Sequence, residues 1–264
     1  MSDYVHSEFN CGGLPIATRF EQMPGADLLT VVLNGYCDRI AVQPPAFVHW
    51  PAGPVFGHIL RISDPTLLLS DWQKGACFIG TEDENPIPSI VEHCNDFAGK
   101  LGISGTRTIY FGNSGAGFGA VQCAIWNGLS PAIATNPLLE LDRFVEYNFG
   151  NDSAKLFRPQ ATLAELCLEY PDRFSVSAHL QRARTAGKRP KLALIQNISD
   201  VHHYESHYGD FCRMFGVPKE GGSDDSGDIL SAVYDAPEGH SSIPRADLIE
   251  MMLAKCCDGA APVT

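Results

Sequence analysis

Short apolar runs bounded by Gly, Pro, Asn or Asp alternate along this chain with longer stretches of helical spacing. Leu28-Leu-Thr-Val-Val-Leu-Asn-Gly35 and Phe56-Gly-His-Ile-Leu-Arg-Ile-Ser63 predict two early strands. Residues 87–101 predict a helix, opened by Pro86 and Pro88 and closed near Gly102. Further strands are predicted at 106–113, 131–136, 191–197 and 229–235, and a last helix through Leu248, Met252 and Leu253. Runs that are apolar at nearly every position suit parallel strands covered on both sides, so the predicted class is α/β, with a mostly parallel central sheet and helices on both faces. Residues 137–186 carry leucine and aromatic spacing compatible with helices and no strand signal. Such a block is either a helical insertion acting as a lid or cap, or connecting helices on the sheet face. Residues 219–227, rich in Gly, Ser and Asp, predict a surface loop.

Composition narrows the function classes. A chain of 264 residues with 44% hydrophobic content suits one domain, 1–264, with a sizeable core. The formal net charge is −12, and basic residues gather nowhere beyond a short run between Arg182 and Lys191, so nucleic acid is not expected as a partner. The N-terminus has neither a basic start nor an apolar core, and no apolar run approaches the length of a membrane span; a cytoplasmic protein is expected. Nine cysteines, with no CxxC pair, indicate neither a disulfide framework nor a zinc knuckle, and are expected as reduced, mostly buried side chains.

The segment with most chemical content is Thr106-Arg-Thr-Ile-Tyr-Phe-Gly-Asn-Ser114-Gly-Ala-Gly-Phe-Gly-Ala-Val-Gln-Cys-Ala124. It reads as a strand, a serine on a tight turn, and a helix. Such an elbow pushes a serine hydroxyl out of the sheet toward a base that can take its proton. Gly112 and Ala116 keep the turn small, and the Gly115 N–H at the first turn of the helix points at a developing oxyanion. The usual elbow ends in glycine; here one methyl is added, at Ala116. The alternative is a glycine-rich turn with an inert serine.

An elbow serine needs an acid and then a histidine later in the chain. Asp200 follows the 191–197 run, and His240 lies in the loop Ala-Pro-Glu-Gly-His-Ser-Ser-Ile-Pro244 beyond the 229–235 run. Neutral His240 would take the Ser114 proton, and Asp200 would fix its tautomer and stabilise its charged form; Asp228 and Asp235 are the alternative acids. The second oxyanion donor is expected near Asp64, after the Phe56 to Ser63 strand, although an Asp before Pro65 is commonly a turn cap. Trp72 and Phe118 are candidates for lining an acyl or sugar pocket, with core packing as the alternative for each. His203 and His207, four apart beside His202, have helical spacing that suits a metal, but no zinc-hydrolase signature accompanies them; the expectation is packing beside the acid loop, with no metal and no cofactor.

Taken together, the elbow, the late acid and the late histidine resemble the α/β-hydrolase superfamily. Arg61-Ile-Ser-Asp-Pro65, Asp71-Trp72, Asn136-Pro137 and Gln196-Asn-Ile-Ser-Asp-Val-His-His-Tyr-Glu-Ser-His207 further resemble a bacterial hydrolase-like family. That family includes the accessory Sec system component acting on glycosylated adhesins and related polysaccharide-biosynthesis esterases. The resemblance spans roughly residues 56–245. It implies Ser114, Asp200 and His240 as a triad, and ester chemistry on a small-molecule or glycan ester such as an acylated sugar. The other regions of the secretion component are lacking, which counts against a role in adhesin export. Three functions remain open on the sequence: a serine esterase, an acyltransferase using the same triad on a glycan hydroxyl, and a non-catalytic glycan- or partner-binding pseudo-hydrolase.

Overall fold

The computed structural model describes residues 5–50, 56–143 and 149–257. Its centre is a sheet of nine strands: β1 (Val5–Cys11), β2 (Leu14–Glu21), β3 (Leu29–Leu33), β4 (His58–Ile62), β5 (Thr108–Asn113), β6 (Ala132–Thr135), β7 (Leu192–Asn197), β8 (Gly222–Ser223) and β9 (Ile229–Tyr234). They lie in the order β1-β2-β4-β3-β5-β6-β7-β9-β8. The six strands from β4 to β9 pair in parallel, and antiparallel β1, β2 and β8 extend the edges.

The apolar runs alternate between two buried faces, which is why they lack a polar side. Val31 and Leu33 of β3, Tyr110 of β5, Ala132 and Ala134 of β6 and Leu192 and Leu194 of β7 point into one core. Helix α1 (Pro86–Leu101) and helix α2 (Gly115–Asn127) fill it. Val32, Ile109, Phe111, Ile133, Ala193 and Ile195 point the other way, onto Ile249, Met252 and Leu253 of the last helix, Ala246–Cys256. Helices therefore cover both faces, as predicted. Asn85 caps α1 by accepting from the Ile87 N–H, and Gly102 ends it in the left-handed region at φ 71°.

The N-terminal hairpin is not among the predicted strands. β1 alternates Val5, Phe9 and Cys11 with His6, Glu8 and Asn10 and is exposed at most positions, and β2 alternates Leu14, Ile16 and Thr18 on its buried face. The 219–227 segment holds the two-residue β8 in place of an unbroken loop.

Between β6 and β7 the chain is helical: α3 (Phe149–Phe157), α4 (Leu163–Glu169), α5 (Pro171–Phe174) and α6 (Val176–Thr185). Phe174, Val176 and Leu180 are buried in the core shared with α2. Gln122 of α2 donates to the Asp172 carbonyl at 2.9 Å and meets the His179 ring, while Arg173 donates to the carbonyls of Ile79, Thr81 and Glu84. These contacts tie the block to α2 and to the loop before α1. Eight of the nine cysteines are buried and none forms a disulfide. Among the described residues, no helix is long and apolar enough to cross a membrane.

Candidate active site

Ser114 stands between β5 and α2 with φ 57° and ψ −123°, a backbone conformation that L-residues avoid. The surroundings hold it there. The Ser114 N–H donates to the Thr135 carbonyl at 2.9 Å, and its carbonyl accepts from Phe118 and Leu138, both at 3.2 Å. A Cβ on Gly112 would lie 2.1 Å from the Ala116 carbonyl oxygen, so only glycine fits that position of the turn. The methyl of Ala116, where glycine is usual, is accommodated by its neighbour just after β3: a Cβ on Gly35 would fall 3.1 Å from the Ala116 Cβ and 2.8 Å from its nitrogen. The departure in the elbow is thus matched by a glycine facing it.

The three residues singled out from chain order meet at this point. His240 Nε2 lies 2.7 Å from Ser114 Oγ, and His240 Nδ1 lies 2.7 Å from Asp200 Oδ2. A carboxylate can only accept, so Nδ1 carries the proton and Nε2 is the lone-pair nitrogen facing the hydroxyl. Burial alone pushes the Asp200 carboxyl up, but hydrogen bonds from His203 and His240 outweigh it and hold the group well below the usual carboxylate range. Asp200 stays ionised, as an acid that stabilises an imidazolium must. Asp235 and Asp228, the alternative acids, accept instead from Ser199 at 2.6 Å and Ser226 at 2.9 Å.

Amide side chains hold the histidine loop at the carboxyl ends of the strands. Asn197, the last residue of β7, donates to the carbonyls of Ala236 and Gly239 at 2.7 and 2.9 Å and to Ser242 Oγ at 2.9 Å. Asn136, at φ 43°, donates to the Tyr234 hydroxyl at 2.8 Å and the Ser242 carbonyl at 3.1 Å. Sequence reasoning missed both, although Asn at the end of a buried strand is the available signal.

The oxyanion side needs a correction. Gly115 opens α2 directly after Ser114 and is buried, and its N–H is one of the unpaired donors of a helix amino end. Asp64 is a poor source of the second donor. In the sheet β3 lies between β4 and β5, so the loop that reaches the elbow leaves β3, not β4. Asp64 is instead the turn cap: its carboxylate accepts from the Thr66 and Phe78 N–H groups, both at 2.9 Å. Burial pushes that carboxyl up to about 6, against the hydrogen bonds it accepts. Gly35 and Tyr36 leave β3 and line a cleft of about 260 Å³ together with Val48, Trp50, Asn113, Ser114 and Ala116.

The two pocket candidates also move. Phe118 is 1% exposed and belongs to the core under the elbow, while Trp72 is 54% exposed and is not among the residues of the Ser114 cleft. Trp50, packed edge-on against Phe111 at 5.1 Å, and Tyr36 take their place. Cys77 abuts Gly115, and burial pushes its thiol far up, which disfavours the thiolate.

His203 and His207 stack at 5.0 Å within a π-helical turn, His203–Gly209. Asp200, His203 and His240 have ligand atoms within 4.8 Å of one another, and both Nδ1 atoms already meet the Asp200 oxygens, at 2.9 and 2.7 Å.

No protein-family model matches the chain, and no curated protein matches it in sequence. Its architecture is shared with solved proteins. It is similar to the glycosylation-associated protein (Gap123) complex of Streptococcus agalactiae, at TM-score 0.62 and 17% identity over 95% of this chain and 45% of that one. S-formylglutathione hydrolase of Staphylococcus aureus is similar at TM-score 0.64 and 11% identity, over 98% of this chain and all of the other. Capsule O-acetyltransferase of Neisseria meningitidis serogroup A follows at TM-score 0.60 and 11% identity, over 88% of this chain and 90% of that one. This chain thus spans less than half of the Streptococcus chain. The sheet order and these likenesses give the fold: it is the α/β-hydrolase fold.

Proposed function

We propose that this chain is a serine hydrolase that cleaves a carboxylic ester through an acyl-enzyme. The observation that carries the reading is the unbroken relay Asp200–His240–Ser114, with both links at 2.7 Å. Ser114 Oγ attacks the ester carbonyl as His240 Nε2 takes its proton; the carbonyl π electrons move onto oxygen, and Asp200 stabilises the imidazolium. The Gly115 N–H at the start of α2 would face the oxyanion, with a second donor expected from the loop of Gly35 and Tyr36 that lines the same cleft. Collapse of the tetrahedral intermediate expels the alcohol, which receives the proton from His240. Water, deprotonated by the same histidine, then frees the acid and restores Ser114.

The acyl group would sit against Val48 and Trp50 in the Ser114 cleft. The family resemblance of the sequence supports an acylated sugar as substrate, as does likeness to a glycosylation-associated protein. A second reading is acyl transfer, in which a sugar hydroxyl replaces water at the acyl-enzyme; likeness to a capsule O-acetyltransferase favours it. A panel of p-nitrophenyl esters from acetate to decanoate, run with and without a sugar acceptor, tests both. Turnover unaffected by the acceptor supports hydrolysis, and acylated sugar formed at the expense of free acid supports transfer. No release of nitrophenol from any ester would leave a binding protein.

A further inference from the structure

The acid of the triad is shared. Asp200 Oδ2 accepts from His240, and Oδ1 accepts from His203 Nδ1 at 2.9 Å. His203 is also parallel to His240, with ring centroids 4.1 Å apart and planes 20° apart, and on its other side stacks on His207 at 5.0 Å and 17°. His207 is anchored in turn: its Nδ1 faces the N–H groups of Leu139 and Glu140, each at 3.4 Å, on the chain leaving β6. His203 is fully buried, whereas the His240 side chain keeps 31% of its exposure. A wholly buried imidazole thus backs the exposed one and grips the same carboxylate.

The turn that carries these rings has a physical peculiarity. Residues 203–209 are wound as a π-helix, which is rare and recurs at functional sites. Both His203 and His207 face inward from it and are 0% exposed. Two buried imidazoles cost desolvation, and packing alone would be served by apolar side chains.

We propose that His203 is a positioning residue of this site: its Nδ1–H holds Oδ1 of Asp200 while its ring backs His240, so that it orients the acid and sets how strongly the acid attracts the imidazolium. This rests on the triad reading above. With Oδ1 engaged by His203, part of the carboxylate charge is spent on a second donor, and the pull on protonated His240 is reduced. Removing the donor leaves all of that charge to His240. The imidazolium is then favoured, and the general base is lost at a higher pH.

Two variants separate the donor from the ring. His203→Phe keeps the stacked ring and removes the hydrogen bond; His203→Asn puts an amide N–H near the Nδ1 position and removes the ring. The other ionisable groups around His203 are common to all forms: His202 and His207 on the same turn, Arg143 and Glu140 on the segment after β6, and the Tyr234 hydroxyl in the field of Asp200. The readout is kcat/KM against pH on a nitrophenyl ester, with folding checked by thermal unfolding. In His203→Phe the acidic limb should move up by about one pH unit, and kcat should fall on the order of 10²-fold as the acid loses its orientation. In His203→Asn the limb should stay with the wild type and most of kcat should return. A limb that stays put in folded His203→Phe, or moves equally in His203→Asn, overturns the proposal. If His203→Phe does not fold, His203→Asn still decides: a folded but inactive variant overturns it as well. Fluorophosphonate labelling of the wild type keeps the two ideas apart. An unlabelled wild type sinks the triad reading; a labelled wild type with unmoved limbs sinks only the role of His203.

Discussion

Ser114 is held at φ 57° and ψ −123°, and replacing it tests whether the elbow stores strain for the sake of the hydroxyl. A non-glycine residue in such a region costs on the order of 1–3 kcal/mol. Ser114→Ala removes the hydroxyl and keeps the Cβ that causes the cost. Ser114→Gly removes both, but loosens the unfolded chain, which returns about 0.4–1 kcal/mol. Taking about 2 kcal/mol for the strain and about 0.7 for the entropy leaves glycine ahead of alanine by about 1.3 kcal/mol. Unfolding entropy of about 2.1 cal/mol/K per residue gives about 0.55 kcal/mol/K for this chain, so Tm should be higher in Ser114→Gly by about 2 °C. Differential scanning calorimetry of the two variants at one pH resolves that difference. Both should be inactive, so stability and activity move in opposite directions in the glycine variant relative to wild type. A Ser114→Ala protein as stable as Ser114→Gly, or more so, would refute the claim that the fold holds the nucleophile against a backbone preference.

Asp200→Asn should keep the fold and lose a factor on the order of 10⁴ in kcat, by analogy with the serine-protease triad; wild-type turnover in that variant would move the acid elsewhere. Acid should also unfold the protein through its buried imidazoles. Burial, with neighbouring positive groups, pushes His207 down to about 3 and His179 down to about 4, so both stay neutral in the fold where the unfolded chain binds a proton on each. Their contribution is fully present above the ordinary imidazole range near pH 6.5 and is lost as pH falls below it, each adding a slope of about 1.4 kcal/mol per pH unit. Asp64, pushed up to about 6, works in the opposite direction: its contribution is full below pH 3.8 and is lost as pH rises through 6. Urea unfolding of wild type and His207→Gln between pH 4.5 and 6 should show a wild-type slope steeper by about 1.4 kcal/mol per pH unit, and parallel slopes would exclude His207 from this role.

The parts legible in the sequence are those where local chemistry and fold agree. The inner strands were visible because burial on both faces makes every position apolar, and the elbow because Gly112 and Ser114 must sit together on a tight turn. Chain order placed Asp200 and His240 in loops that the sheet then brings to Ser114. What stayed hidden depends on spatial order. Chain order alone does not tell which loop ends beside Ser114: sheet order sets β3 next to β5 and so brings Gly35 and Tyr36 to the elbow in place of Asp64. Trp72 and Phe118 illustrate the same limit. An aromatic near a motif in sequence can point to solvent or to the core, while Trp50 reaches the cleft from a distant loop. Asn136 and Asn197 give no catalytic signal of their own, because their work is to accept and donate between strand ends and the histidine loop.

The central claim is that Ser114 is activated by His240. Incubation with a fluorophosphonate probe, followed by peptide mapping, tests it most directly. One labelled residue, Ser114, is expected in the wild type, with no labelling in Ser114→Ala and strongly slowed labelling in His240→Ala. Equal labelling of wild type and Ser114→Ala, or a folded wild type that the probe does not modify, would contradict it.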